Sequence, residues 1–112
     1  MLESMPHKVS AVSTMIEVDP QTCNVTINET FQVNVNVTNV VNLTAWEFKL
    51  YYLNTVLNCT DITEGPFLKT GGGTYFVKII NNTYSPSEGR VLVGCSLLGM
   101  VPGVNGSGVL AT

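Results

Sequence analysis

One histidine, three cysteines and eight carboxylates are the groups in this chain that could carry proton transfer, nucleophilic attack or metal ligation. A Ser-His-Asp arrangement would have to use His7, which lies in a terminal stretch with no periodicity to position it. Glycoside hydrolysis needs two acids about 5 to 9.5 Å apart in a cleft. Neither Glu47 nor Glu64 has an obvious partner for that work. Asp61-x-x-Glu64 offers carboxylates to calcium, but two ligands fall short of the roughly six to eight oxygens that ion takes, so the pair reads as a solvated loop. No catalytic residue, metal site or cofactor is expected, and the chain reads as a non-enzyme.

Cys23, Cys59 and Cys95 form no C-x-x-C pair, so neither a zinc site nor a thioredoxin-like motif is supported. They fit equally as three small buried hydrophobes or as one disulfide with a thiol left over. The favoured disulfide is Cys59 with Cys95, both expected at inward strand positions. Closing that loop would stabilise by about 4 kcal/mol in the chain-entropy model. Trp46 could stack on a sugar, as exposed aromatics do in carbohydrate-binding proteins. Its parity with Phe48 and Leu50 instead assigns it to the core.

Composition narrows the partners. Charged residues make up 12% of the 112 residues and the net charge is −3, with five basic residues in all. That leaves no basic patch for a run of phosphates, and nucleic acid is a poor partner. No apolar run approaches the roughly 18 residues that cross a bilayer, so membrane association is expected only through parts of the protein outside this chain. Met1 to Lys8 has neither the basic nor the apolar region of a leader, and a signal is expected upstream in a longer gene. The sequon N-x-S/T occurs at Asn24, Asn28, Asn36, Asn42, Asn58, Asn81 and Asn105. Chance at this Ser and Thr content would give about two, and the excess points to an extracellular or cell-surface glycoprotein.

The elements that must position these residues are strands. Phe31, Val33, Val35 and Val37 alternate with Gln32, Asn34, Asn36 and Thr38, which predicts a strand with one buried face. Ala45 to Tyr52 puts Trp46, Phe48, Leu50 and Tyr52 on one side and Glu47, Lys49 and Tyr51 on the other. Arg90 to Leu98 turns Val91, Val93, Cys95 and Leu97 inward, leaving Leu92, Gly94, Ser96 and Leu98 outside. Shorter strands are expected at Thr14 to Val18, Asn24 to Asn28, Leu57 to Thr63 and Thr74 to Asn81, with another from Val109 onward. Turn residues punctuate these runs at Asp19-Pro20, Gly65-Pro66, Gly71 to Gly73, Ser85-Pro86 and Gly99 to Gly108. Sustained helical spacing is missing, so the expected class is all-β: a jelly-roll or immunoglobulin-like sandwich of two antiparallel sheets.

The order of these parts carries a resemblance. Val41-Asn42-Leu43-Thr44-Ala45-Trp46-Glu47-Phe48-Lys49-Leu50-Tyr51-Tyr52, then Val56-Leu57, Gly65-Pro66-Phe67-Leu68, Gly89-Arg90-Val91 and Gly106-Ser107-Gly108-Val109-Leu110-Ala111-Thr112, resembles a cohesin domain. It is most similar to the cohesin-like modules of archaeal secreted and surface proteins, and the likeness runs over residues 14–112. Residues 1–13 are expected to be a poorly ordered extension. The resemblance implies a jelly roll related to bacterial cellulose-binding modules, without an active site. It also implies a C-terminal end lacking the family's last strand or strands. A cohesin docks the calcium-loaded dockerin modules of enzymes through the outer face of one sheet, within polysaccharide-degrading or cell-surface assemblies. Tyr52-Leu53-Asn54 departs from the family's Tyr-Asp-Pro, and dockerin-contacting residues are not recognisable between Leu98 and Ser107.

Strand parity places Asn24, Asn28 and Asn36 on one outer face, where glycans would cover it. The other outer face, with Glu47, Lys49, Tyr51, Leu92, Gly94 and Ser96, carries no sequon and is expected to stay bare, and its mixture of apolar and charged groups suits a modest interaction surface. The expected function is adhesion or docking to a dockerin-like protein module. Binding of a polysaccharide and a spacer role in a surface-layer protein are the alternatives.

Overall fold

The computed structural model describes residues 13–112. Apart from Ser13, the segment expected to be poorly ordered lies outside the described residues, as does His7. The rest is all-β, with two antiparallel three-stranded sheets and one short 3₁₀ turn, Leu68–Gly71. The strands are β1 (Met15–Asp19), β2 (Asn34–Leu43), β3 (Ala45–Leu53), β4 (Thr74–Asn81), β5 (Glu88–Leu97) and β6 (Val104–Ala111). One sheet has the order β1-β2-β6 and the other β3-β5-β4, so the chain changes sheet at Thr44.

The two inner faces form a common core, as in a β-sandwich. Val35, Val37 and Leu110 of the first sheet meet Phe67, with Trp46 and Phe48 of the second packed against them. Val91 and Val93 of β5 meet Ala111 of β6 and Ile62 from the crossing loop. Leu68, Cys95 and Leu97 close a third cluster. Trp46 touches all three: it is half-buried, stacks on Phe48 at 5.6 Å between ring centroids, and tilts against Phe76 at 6.3 Å.

Several elements differ from the sequence reading, each for a local reason. The Phe31 alternation does not become strand until Asn34, because β1 ends at Asp19, its register partner, and Pro20 has no N–H to continue the ladder. Asn24 to Asn28 is no strand. Thr26 donates from its backbone N and its hydroxyl to Glu29 Oε1, at 2.9 and 3.2 Å, and Asn28 takes a positive φ of 69°. Leu57 to Thr63 is irregular, and its continuation makes only an isolated bridge, Glu64 to Ala111. That crossing runs alongside β6: Gly65 N donates to Leu110 O at 2.8 Å and Phe67 N to Val109 O at 3.2 Å. A Cβ on Gly65 would overlap the Val109 carbonyl, so only glycine permits this approach. Strand β6 begins at Val104 rather than Val109, and β2 reaches it through register shifts on either side of Val40. Asn39 and Asn42, with φ of 57° and 58°, supply the left-handed residues at these irregularities.

Candidate functional site

The outer face of β3-β5-β4 is a grid set by continuous register. Its rows are Ala45–Ser96–Tyr75, Glu47–Gly94–Val77, Lys49–Leu92–Ile79 and Tyr51–Arg90–Asn81. All six residues expected to form one surface, Glu47, Lys49, Tyr51, Leu92, Gly94 and Ser96, therefore share it. Strand β4 widens the face with Tyr75, Val77 and Ile79, which are 64, 40 and 51% exposed. Sequence reasoning did not place these three there. Both sides of Thr74 to Asn81 are rich in apolar residues, so alternation alone does not say which side faces out. The signal that does is the adjacency of β4 and β5 across the short connection 82–87.

Gly94 leaves the centre of the grid without a side chain. The result is a shallow depression of ≈ 310 Å³ lined by Glu47, Tyr75, Val77, Leu92 and Ser96. At the far end Tyr51 and Tyr84 meet edge to face, with ring centroids 5.7 Å apart, and the Arg90 guanidinium sits 4.4 Å from the Tyr84 ring centroid. Tyr75 and this cluster occupy opposite ends of the grid, about 20 Å apart at the usual rise per residue. The exposed aromatics therefore make two separate contacts rather than a row.

The sequons fall differently from the parity reading. Asn24 and Asn28 are exposed in the irregular segment before β2, so they share no strand face with Asn36. Asn36 is half-buried, and its Oδ1 is buried with no hydrogen-bond partner among the described residues. Asn42 and Asn105 are exposed and tied to the β2–β6 ladder: Asn42 Oδ1 accepts from Gly103 N at 2.9 Å, and Asn105 Oδ1 accepts from Asn42 N at 2.7 Å. Asn58 is exposed in the loop after β3. Asn81 corrects the expectation of a sequon-free face, because its register with Arg90 and Tyr51 places it at the end of the grid. There it is half-buried, and its Oδ1 accepts from Thr83 N at 3.1 Å.

The remaining chemistry-bearing residues do not converge on this face. No group of three or more His, Cys, Asp or Glu side chains able to hold a metal ion occurs among the described residues. Asp61 is exposed and paired with Lys78, whose hydrogen bond holds its carboxyl below the usual range. Glu64 is not solvated as expected: it is half-buried, and Oε2 accepts from Thr74 Oγ1 at 2.7 Å and Cys95 Sγ at 3.4 Å. The three cysteines are free, so the expected Cys59–Cys95 bridge is not formed. Cys59 is held by Asn82 near the Tyr52–Gly89 end of the sheet, whereas Cys95 sits opposite Trp46. The Cys59 thiol meets the Asp61 carbonyl at 3.7 Å and the Cys95 thiol meets Glu64 Oε2 at 3.4 Å, so the two sulfurs face different partners.

No family model matches the chain, and neither a curated protein nor a solved structure shows significant similarity to it.

Proposed function

We propose that this chain is a non-catalytic, extracellular docking module of the cohesin type, which binds a dockerin-like protein module through the outer face of β3-β5-β4. The observation that carries the reading is the grid itself. It combines exposed apolar side chains (Tyr51, Tyr75, Val77, Ile79) with one acid, Glu47, and two bases, Lys49 and Arg90, on the sheet that holds the Gly94 depression. Such a mixed, nearly flat surface matches the composition of a non-obligate protein interface. Separation of Tyr75 from the Tyr51–Tyr84 pair weighs against a stacking platform for a long sugar chain.

Titration calorimetry against calcium-loaded dockerin modules tests this reading. Lys49→Glu and Leu92→Ala should each weaken binding, whereas Thr38→Arg on the other sheet should not. Unchanged affinity in the first two, together with loss from changes at Asn34 or Asn36, would place docking on β1-β2-β6. A polysaccharide-binding role is the second reading, favoured by Tyr84 and Arg90 beside Tyr51. Affinity for soluble polysaccharide that Tyr84→Ala abolishes would establish it instead.

A further inference from the structure

We infer that the outer edge of β4 pairs with the same edge of a second copy of this chain, joining two three-stranded sheets into one of six strands. Among the described residues, β4 is bonded on one side only, to β5, and no backbone group pairs with its other edge. Unpaired N–H and C=O groups along an extended strand form a template for another strand. Proteins that keep such an edge apart from others shorten it, bulge it, or furnish it with proline or charge. Strand β4 is neither short nor bulged, and it carries no proline. Its eight residues run Thr-Tyr-Phe-Val-Lys-Ile-Ile-Asn in unbroken register from Thr74 to Asn81. Its one charge, Lys78, is tied back to its own chain, since Nζ is paired with Asp61 and donates to Ile62 O at 2.8 Å.

The other edges are better guarded. Strand β1 has five residues, with Glu17 and Asp19 among them and Pro20 after them. Strand β3 exposes Glu47 and Lys49. The crossing segment at Gly65 and Phe67 is bonded to β6.

Self-complementarity selects a second copy as the occupant. Two antiparallel β4 strands related by a two-fold axis through Val77 place Val77 opposite Val77 and Tyr75 opposite Ile79. All of these lie on the outer face and all are apolar. Centring on Lys78 would set lysine against lysine, which is unfavourable across a ladder. The Val77 register leaves the Glu47–Gly94 half of each grid open, so paired copies would present two docking faces on one continuous sheet.

Analytical ultracentrifugation of the full chain over a range of concentrations, with Val77→Lys, Val77→Glu and their mixture, tests the inference. Val77 is 40% exposed, so both variants should keep the wild-type thermal transition. The wild type should pass from monomer to dimer as concentration rises. Each variant alone should dissociate up to about fivefold more readily, because it sets like charges directly opposite each other. The equimolar mixture should dimerise again. A wild type that stays monomeric overturns the inference and leaves β4 to an extended segment of another protein. A dimer that survives in Val77→Lys, or a mixture that fails to pair, overturns it as well, by placing the contact on another edge or in another register.

Discussion

Cys95 points its thiol at the Glu64 carboxylate, with Sγ 3.4 Å from an oxygen that also accepts from the Thr74 hydroxyl. Burial first, and then this acidic partner, push the thiol up to about 11 from its ordinary 9.0. Between those values the unfolded chain has released a proton that the native chain still holds, so stability falls as pH rises. The contribution is fully present below about pH 9 and is lost toward pH 11. Burial also raises Tyr52 and Cys59, which act in the same direction. Urea midpoints should therefore decline from pH 9 to 11, and Glu64→Gln should make the decline shallower. At pH 8 a thiol reagent should label exposed Cys23 in the native protein and Cys95 only after unfolding.

Two glycines should respond oppositely to alanine. At Gly94 a Cβ would lie 3.5 Å from Trp46 O and 3.9 Å from Glu47 Cβ, an ordinary contact on an open face. Gly94→Ala should then stabilise by about 0.5 to 1 kcal/mol through reduced unfolded-state freedom. At Gly65 the same atom would overlap the Val109 carbonyl. Because backbone cannot yield as a side chain can, Gly65→Ala should cost about 3 kcal/mol or more. Denaturant midpoints at constant slope read both effects. If Gly94→Ala weakens docking while raising stability, the depression itself is part of the contact.

Legibility in the sequence followed how cleanly apolar and polar residues separate. Ala45 to Tyr52 and Arg90 to Leu98 alternate with little ambiguity, and the structure places all six expected face residues on one surface. Thr74 to Asn81 was readable as a strand but not as a contributor to the face, since Phe76 and Ile80 balance Tyr75, Val77 and Ile79. The pattern around Phe31 was regular, yet a strand also needs a partner, and β1 stops at Asp19. Asn24 to Asn28 failed for a different reason: Glu29 satisfies Thr26 locally, a competition that period-two counting does not register. For the cysteines, inward parity was read correctly at Cys95, but Cys59 lies in the irregular segment after β3, where strand parity does not apply.

Asn82 joins the end of β4 to the loop after β3. Its Oδ1 accepts from the Tyr52 hydroxyl and, at 2.9 Å, from Cys59 N, while its Nδ2 donates to Cys59 O at 3.1 Å. Asn82→Ala would leave the Cys59 amide and carbonyl without these partners in a half-buried place, at a cost of about 2 to 4 kcal/mol. Asn82→Asp keeps the acceptor and loses the donor, so it should fall between wild type and alanine. Tyr52→Phe removes one bond and should cost about 1 kcal/mol. Thermal melts of the three variants check the order. Equal losses in all three would mean that the packing of Tyr52 against Gly89, rather than the amide, holds this corner.

Glycan mapping by mass spectrometry, on protein secreted from an N-glycosylating host, tests the surface reading. A glycan needs its asparagine in water with room around it. Asn24, Asn28, Asn58 and Asn105 are exposed, whereas Asn36 is half-buried with its Oδ1 out of reach of solvent. Occupancy should be high at the first group and low at Asn36. Asn81 is the informative position, because it is half-buried and also ends the row of Tyr51 and Arg90. A glycan there would cover the Tyr84 cluster and leave the Gly94 depression open. Docking should therefore survive occupancy at Asn81 if the depression is the contact, and should rise in Asn81→Gln if the tyrosine pair is. Full occupancy at Asn36 in a folded, secreted protein would contradict the burial that β2 imposes on that side chain.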